Sequence, residues 1–158
     1  MHILRKLLTW WVSMVVTTVV AAVIAKFTMA KQDDPTAPRF ALVSIFDGTD
    51  FRPTTQALTA SKAITMFGGT RIDLRRAGSG PAPIYLDLVT VMGGTDITVP
   101  DNWRVDVEGM ALMGGHDVNV ADPETVSAEA PHLVIRARTM MGGLRIQARP
   151  VLVSASTG

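Results

Sequence analysis

From Phe40 onward, apolar and polar residues alternate along the chain. Ile84, Leu86 and Leu88 alternate with Tyr85 and Asp87. Trp103, Val105 and Val107 alternate with Arg104, Asp106 and Glu108. Leu133 and Ile135 alternate with Val134 and Arg136. Successive side chains of a strand point to opposite faces, so each run predicts a strand with one face buried. Turn chemistry separates the runs: Gly78-Ser79-Gly80-Pro81, Pro100-Asp101-Asn102, Ala121-Asp122-Pro123 and Ala130-Pro131. Nothing after residue 40 has the period of a long amphipathic helix.

A phrase recurs on this background. It reads Met66-Phe67-Gly68-Gly69-Thr70-Arg71-Ile72-Asp73-Leu74, and returns around Gly93-Gly94, Gly114-Gly115 and Gly142-Gly143. A weaker copy, Ile45-Phe46-Asp47-Gly48-Thr49-Asp50-Phe51, precedes them. The first residues of the pairs stand at 47, 68, 93, 114 and 142, so the steps are 21, 25, 21 and 28 residues. A period of this size marks stacked repeats. Each copy predicts strand, corner, strand, with the corner at Gly48, Gly68-Gly69, Gly93-Gly94, Gly114-Gly115 and Gly142-Gly143. The glycines are expected where a side chain would collide with the neighbouring coil.

Stacked in chain order, the copies make a parallel β-helix of about five coils. Its core ladder is Phe51, Ile72, Ile97, Val118 and Ile146. Its outer column is Asp50, Arg71, Asp96, Asp117 and Arg145, with one like-charge contact, Asp96 against Asp117. An antiparallel sandwich also accommodates short strands, but it gives no reason for the same phrase five times.

Residues 7–25 carry no charge, close to the roughly 20 apolar residues that cross a bilayer as a helix. Trp10 and Trp11 suit an interfacial belt. The competing reading is a cleaved signal peptide ending near Val23-Ile24-Ala25, but its apolar core would be long for one. The sequence therefore divides into a basic flank (1–6), a transmembrane helix (7–27), a linker (28–39), the β-helix domain (40–153) and a frayed tail (154–158). Arg5 and Lys6 lie on one side of the span, Lys26, Lys31 and Arg39 on the other. A margin of one residue favours a single-pass cell-membrane protein with its domain in the cytoplasm. Ser13, Thr17, Ala21 and Ala25 form a small-residue stripe, the kind that lets helices approach closely; a chance pattern in a Thr- and Ala-rich helix is the plainer reading.

Composition adds mainly exclusions. The formal net charge is +1, so there is no global attraction to nucleic acid. There is no cysteine, so disulfides and thiol chemistry are excluded. His2, His116 and His132 have no ligand spacing, and no metal site is expected. His116 takes the column of Thr70, Thr95 and Leu144 and reads as a coil-surface substitution. Asp96 and Asp117, one coil apart, suggest only a weak cation site. The glycine pairs match neither phosphate-loop pattern, and no nucleophile–base set is present. Arg75 and Arg76 read as a solvated loop, and Trp103 as core. No catalytic residue, cofactor or small-molecule substrate is expected, and the chain is not read as an enzyme.

The stretches 66–74, 91–105 (Val-Met-Gly-Gly-Thr-Asp-Ile-Thr-Val-Pro-Asp-Asn-Trp-Arg-Val) and 112–115 resemble the C-terminal domain of the LiaF-type, cell-wall-active-antibiotics response family. The likeness runs from residue 40 to about 148. It implies a small right-handed β-helix and a membrane-associated regulator of envelope stress, often one that restrains a sensor kinase. It brings no catalytic residues. The regulator has several transmembrane helices where this chain has one. The expected function is a membrane-anchored interaction module whose partner is a protein, a sensor kinase or a copy of itself. The alternative is a self-associating structural envelope protein. Pro53 and Pro150 are expected to block the open edges.

Overall fold

The computed structural model describes residues 34–152, together with Lys6 and Thr17, which are helical and exposed. The rest of the expected transmembrane helix, linker residues 28–33 and the tail 154–158 lie outside the described residues. Among the described residues no helix is long and apolar enough to cross a membrane.

The described domain is all-β. Its ten strands are β1 (Ala41–Ile45), β2 (Gly48–Phe51), β3 (Ser61–Met66), β4 (Gly69–Asp73), β5 (Ile84–Val91), β6 (Gly94–Pro100), β7 (Arg104–Leu112), β8 (Gly115–Asn119), β9 (His132–Met140) and β10 (Gly143–Arg149). Each odd strand turns a corner into the next even strand, so each repeated phrase is one arch. The odd strands form one parallel sheet and the even strands another.

The arches do not stack in chain order. The sheets run β1-β3-β5-β9-β7 and β2-β4-β6-β10-β8. The last arch, β9–β10, is inserted between the third and the fourth. Residues 101–103 carry the chain from β6 past one whole layer, and Asp101 N–H donates to the Arg149 carbonyl as the connection passes the end of β10. The skipped gap is about 10 Å, two strand spacings, and β9–β10 fills it. The expected run Ile72–Ile97–Val118–Ile146 is therefore corrected to Ile72–Ile97–Ile146–Val118.

Charge explains the order. In the outer column of the even sheet the neighbours become Asp50, Arg71, Asp96, Arg145 and Asp117, alternating in sign throughout. The odd sheet carries a second alternating column, Lys62, Asp87, Arg136 and Glu108. Chain order would have set Asp96 against Asp117 and Asp87 against Glu108. Inserting the fifth arch places Arg145 and Arg136 between them. Opposite charges on directly opposed strands stabilise by a few tenths of a kcal/mol to about 1 kcal/mol each, and like charges cost similar amounts.

The core lies between the sheets, around Ile72, Ile97, Ile146, Leu86, Leu133 and Ile135, all almost fully buried. Trp103 is buried there, as expected. Val118 is not: it belongs to the outermost arch and is 42% exposed. The end of the expected linker is docked rather than free. The Pro35 carbonyl accepts from the Thr54 and Thr55 amides, and the Pro38 carbonyl from the Thr59 amide. Pro53 follows the edge strand β2, whereas Pro150 follows β10, a central strand, and so blocks no edge.

Inside the corner runs a buried hydroxyl ladder. Thr65 bonds Thr70 at 2.6 Å, Thr90 bonds Thr95 at 2.8 Å, and Thr65 reaches Thr95 at 3.3 Å. Thr70 and Thr95 therefore face inward, and so does His116 in their column. In the inserted arch that column holds Leu144, which leaves Thr139 without a threonine opposite. His116 Nε2 fills the role at 3.2 Å from Thr139 Oγ1, across one layer. The surface reading of His116 is corrected accordingly.

Candidate interaction surface

The two glycines of each pair do different things. A Cβ at Gly68 would stand 2.2 Å from the Asp47 carbonyl oxygen. At Gly93 it would stand 2.3 Å from that of Gly68, at Gly142 2.2 Å from that of Gly93, and at Gly114 it would strike that of Gly142. The first position must be glycine because backbone lies directly along the stack. Asp47 escapes because no arch lies beyond it, which is why the first copy of the phrase is the weak one. A Cβ at Gly48, Gly69, Gly94, Gly115 or Gly143 meets nothing within 4 Å. The expectation of a steric corner holds for the first glycine and fails for the second.

The bend itself sits one residue earlier. Phe46, Phe67, Met92, Met113 and Met141 have φ between 48° and 55°, the left-handed region. A residue with a Cβ costs about 1–2 kcal/mol there, and glycine is the usual occupant. Here all five positions carry large apolar side chains. They remain 38% to 74% exposed, so a large share of each apolar surface stays in solvent on strained backbone. In spatial order they form a ridge, Phe46–Phe67–Met92–Met141–Met113, about 19 Å long at one strand spacing per layer. The Phe46 and Phe67 rings stack at 4.9 Å. Met66 and Met140 lie beside it, so five of the six methionines of residues 34–152 gather at this corner.

Beside the ridge the second glycines form a bare backbone track. On its far side stands the alternating charge column. Two open depressions lie along this track, one over Gly48, Gly69 and Gly94, the other over Gly94, Gly143 and Gly115. Asp96, Asp117 and Arg145 rim the second. Arg145 Nε lies 3.4 Å from Asp117. With Arg145 between them, Asp96 and Asp117 do not form the cation site suggested by chain order.

The remaining polar residues serve structure. Arg75 is not a solvated loop cation: it grips Asp73 through Nε at 2.9 Å and Nη2 at 2.7 Å. Those bonds hold the Asp73 carboxyl below its ordinary pKa against the opposing effect of burial. Arg52 does the same for the exposed Asp50. His132 pairs with Asp106 across β7 and β9. Among the described residues no group of histidine, aspartate and glutamate is placed to hold a metal ion. Sequence reasoning located the corner but missed the ridge. The signal was available, since the residue before every pair is Phe or Met where turn chemistry would favour Gly or Asn. No protein-family model, curated protein or solved structure matches the chain.

Proposed function

We propose that the chain is a membrane-anchored, non-enzymatic protein-interaction module of bacterial cell-envelope stress regulation, and that the corner ridge with its glycine track is the working surface. The observation that carries this reading is the strained ridge. Five exposed Phe and Met side chains are kept on left-handed backbone although glycine at those positions would relieve the strain. Backbone strain of this kind persists where side chains are needed for something beyond the fold. Flexible methionines suit an adaptable protein contact. The second glycines fit the same account, because a partner lying in the track would approach bare backbone.

The right-handed β-helix and the sensor-kinase partner belong to this proposal. Parallel crossovers are overwhelmingly right-handed. The likeness of residues 66–74 and 91–105 to the antibiotic-response family supports a regulatory partner. The anchor rests on the uncharged run 7–25, and a margin of one residue in flanking cations favours the cytoplasm for the domain. The second reading, a self-associating structural envelope protein, draws on the uncovered β7–β8 end of the stack.

Two measurements on the full chain test the proposal. Gly80→Cys, in an exposed loop of a cysteine-free chain, should react with a membrane-impermeant maleimide only after lysis. Labelling of intact cells would refute the cytoplasmic placement. Phe67→Asn with Met92→Asn, neutral residues that tolerate left-handed backbone, should alter the antibiotic-induced output of the host's envelope-stress response as deletion does, in a domain that keeps its β-sheet circular dichroism signal. A wild-type response from that variant would refute the ridge as the working surface.

A further inference from the structure

The two ends of the stack are not equivalent. At the β7–β8 end the residues that face the interior are uncovered. Ala111 is exposed, Gly109 presents bare exposed backbone, Val118 is 42% exposed, and Val107 and Val120 are half-buried. Met110, at 80% exposure, and Met113, at 74%, flank them and are the most exposed large apolar side chains described. Both strands of this arch are edge strands, β7 of one sheet and β8 of the other. Open parallel edges beside apolar surface are templates for further pairing.

The other end rejects the same partner. The Cβ of the first pair residue always points along the stack toward the preceding arch, as the contacts of Gly68, Gly93, Gly142 and Gly114 establish. At Asp47 that direction leads out of the stack. A copy added head to tail would drive its Gly114 carbonyl into the Asp47 side chain. It would also set its Asp117 beside Asp50. Steric and charge terms both oppose an open filament, which leaves contact between like ends.

We propose that two copies of this chain dimerise through their β7–β8 ends, corner on corner, about a two-fold axis that bisects the arch. Such an axis lays β7 antiparallel on the partner's β8, and residues equally far from the corner meet. Equal distance is defined within one arch by the bonded pairs Thr65–Thr70 and Thr90–Thr95. By the same count Ala111 meets His116, Gly109 meets Val118 and Val107 meets Val120. Ala111 and Gly109 thus face the larger His116 and Val118, and Val107 faces a second valine. On the outer face Met110 meets Asp117 and Glu108 meets Asn119, so no like charges are opposed. The contact is isologous and closes at two copies. It continues both sheets and joins the two ridges into one, with Met113 of each copy near the axis.

The proposal rests on the fold and not on the envelope role, so either can fail alone. The chain has no cysteine, and single-cysteine variants of the full chain can be oxidised in membranes and read on non-reducing gels. Met113→Cys should cross-link to a dimer in more than half of the chains, because residues near a two-fold axis approach within disulfide range. Phe46→Cys, at the opposite end, should stay monomeric, and the double variant should stop at the dimer. Val118→Lys in the Met113→Cys background should lower cross-linking at least tenfold while the β-sheet circular dichroism signal is retained. A monomeric Met113→Cys overturns the proposal, as does cross-linking of that cysteine to another protein. A ladder above the dimer from the double variant overturns it in favour of head-to-tail growth. Cross-linking that survives Val118→Lys overturns it as chance collision.

Discussion

The glycine pairs predict a sharp difference between neighbouring residues of identical type. In Gly93→Ala the new methyl would lie 2.3 Å from the Gly68 carbonyl oxygen and 3.2 Å from the Gly68 nitrogen. Relief requires the third arch to move about 1 Å away from the second at the corner. The Gly94 amide donates to that same oxygen at 3.1 Å, and the Phe67 amide to the Val91 carbonyl at 3.0 Å. A movement of that size takes both beyond hydrogen-bonding distance. Each contributes about 1 kcal/mol net, and buried backbone groups left unpaired cost more. The expected loss is about 3–5 kcal/mol, at the far end of single-substitution effects. A domain of this size has roughly 5–15 kcal/mol in all, so the variant should be marginal. Gly94→Ala has nothing to strike and should lie between neutral and about 1 kcal/mol stabilising, through reduced freedom of the unfolded chain. Urea denaturation of the full chain in mild detergent, followed by the β-sheet circular dichroism signal, measures both. Equal midpoints, or a Gly93→Ala loss under 1 kcal/mol, would refute the close-approach argument.

Four further outcomes follow from the same geometry. His116→Ala should cost about 1–3 kcal/mol by leaving the buried Thr139 hydroxyl unpaired; Leu144→Thr restores the threonine pair within that arch but removes core packing, so in a double-mutant cycle in urea the double variant should lose at least about 0.5 kcal/mol less than the sum of the two single variants. Arg145→Asp converts two attractive cross-strand contacts, with Asp96 and Asp117, into repulsive ones and should cost about 1–2 kcal/mol at low salt, diminishing as salt is raised. The Asp73 carboxyl has its pKa lowered by Arg75, so its contribution is complete at neutral pH and is lost as pH falls below the ordinary value of 3.8 toward the folded-state value; Arg75→Ala should cost about 1–2 kcal/mol at pH 7 and flatten the acid side of the stability profile. Ending the chain at residue 131 removes the neighbour of β7–β8 rather than a terminal coil, so hydrogen exchange should find residues 104–119 unprotected while β1 to β6 retain protection.

Much of the fold was legible because it is written as periodicity. Alternation gave the strands, the pairs gave the corners, and parallel register followed from the demand that Phe51, Ile72, Ile97 and Ile146 share one interior. Stacking order was not legible from periodicity, since an arch presents the same columns wherever it sits. Charge carried that information. The outer column reads Asp, Arg, Asp, Asp, Arg along the chain, and one exchange at its end makes it alternate. The odd sheet's Lys62, Asp87, Glu108 and Arg136 call for the same exchange. Two independent columns agreeing on one permutation is stronger evidence than the like-charge contact of either alone. The ridge was missed for a different reason. Apolar residues beside glycine pairs look like core, and their place at the bend, where Gly or Asn would be usual, was the one hint that they stand outside it, as their left-handed φ shows.

The inserted arch also constrains how the molecule reaches this structure. In a simple solenoid each coil docks on the one before, and order can propagate with the chain. Here β7–β8 leaves the β6 side with a one-layer gap beneath it, and among the described strands its only sheet neighbours are β9 and β10. It cannot take its final place before residues 132–149 have supplied them. The final repeat therefore closes the structure from the middle. Placing β9–β10 against β5–β6 buries Leu133, Ile135, Leu144 and Ile146 almost completely, and the fourth arch then receives a finished surface to dock on. The arch that docks last, with neighbours on one side alone, carries the exposed interior column. Chain topology and the location of the open end are thus one fact seen twice: the layer displaced outward by the insertion is the layer left needing a partner.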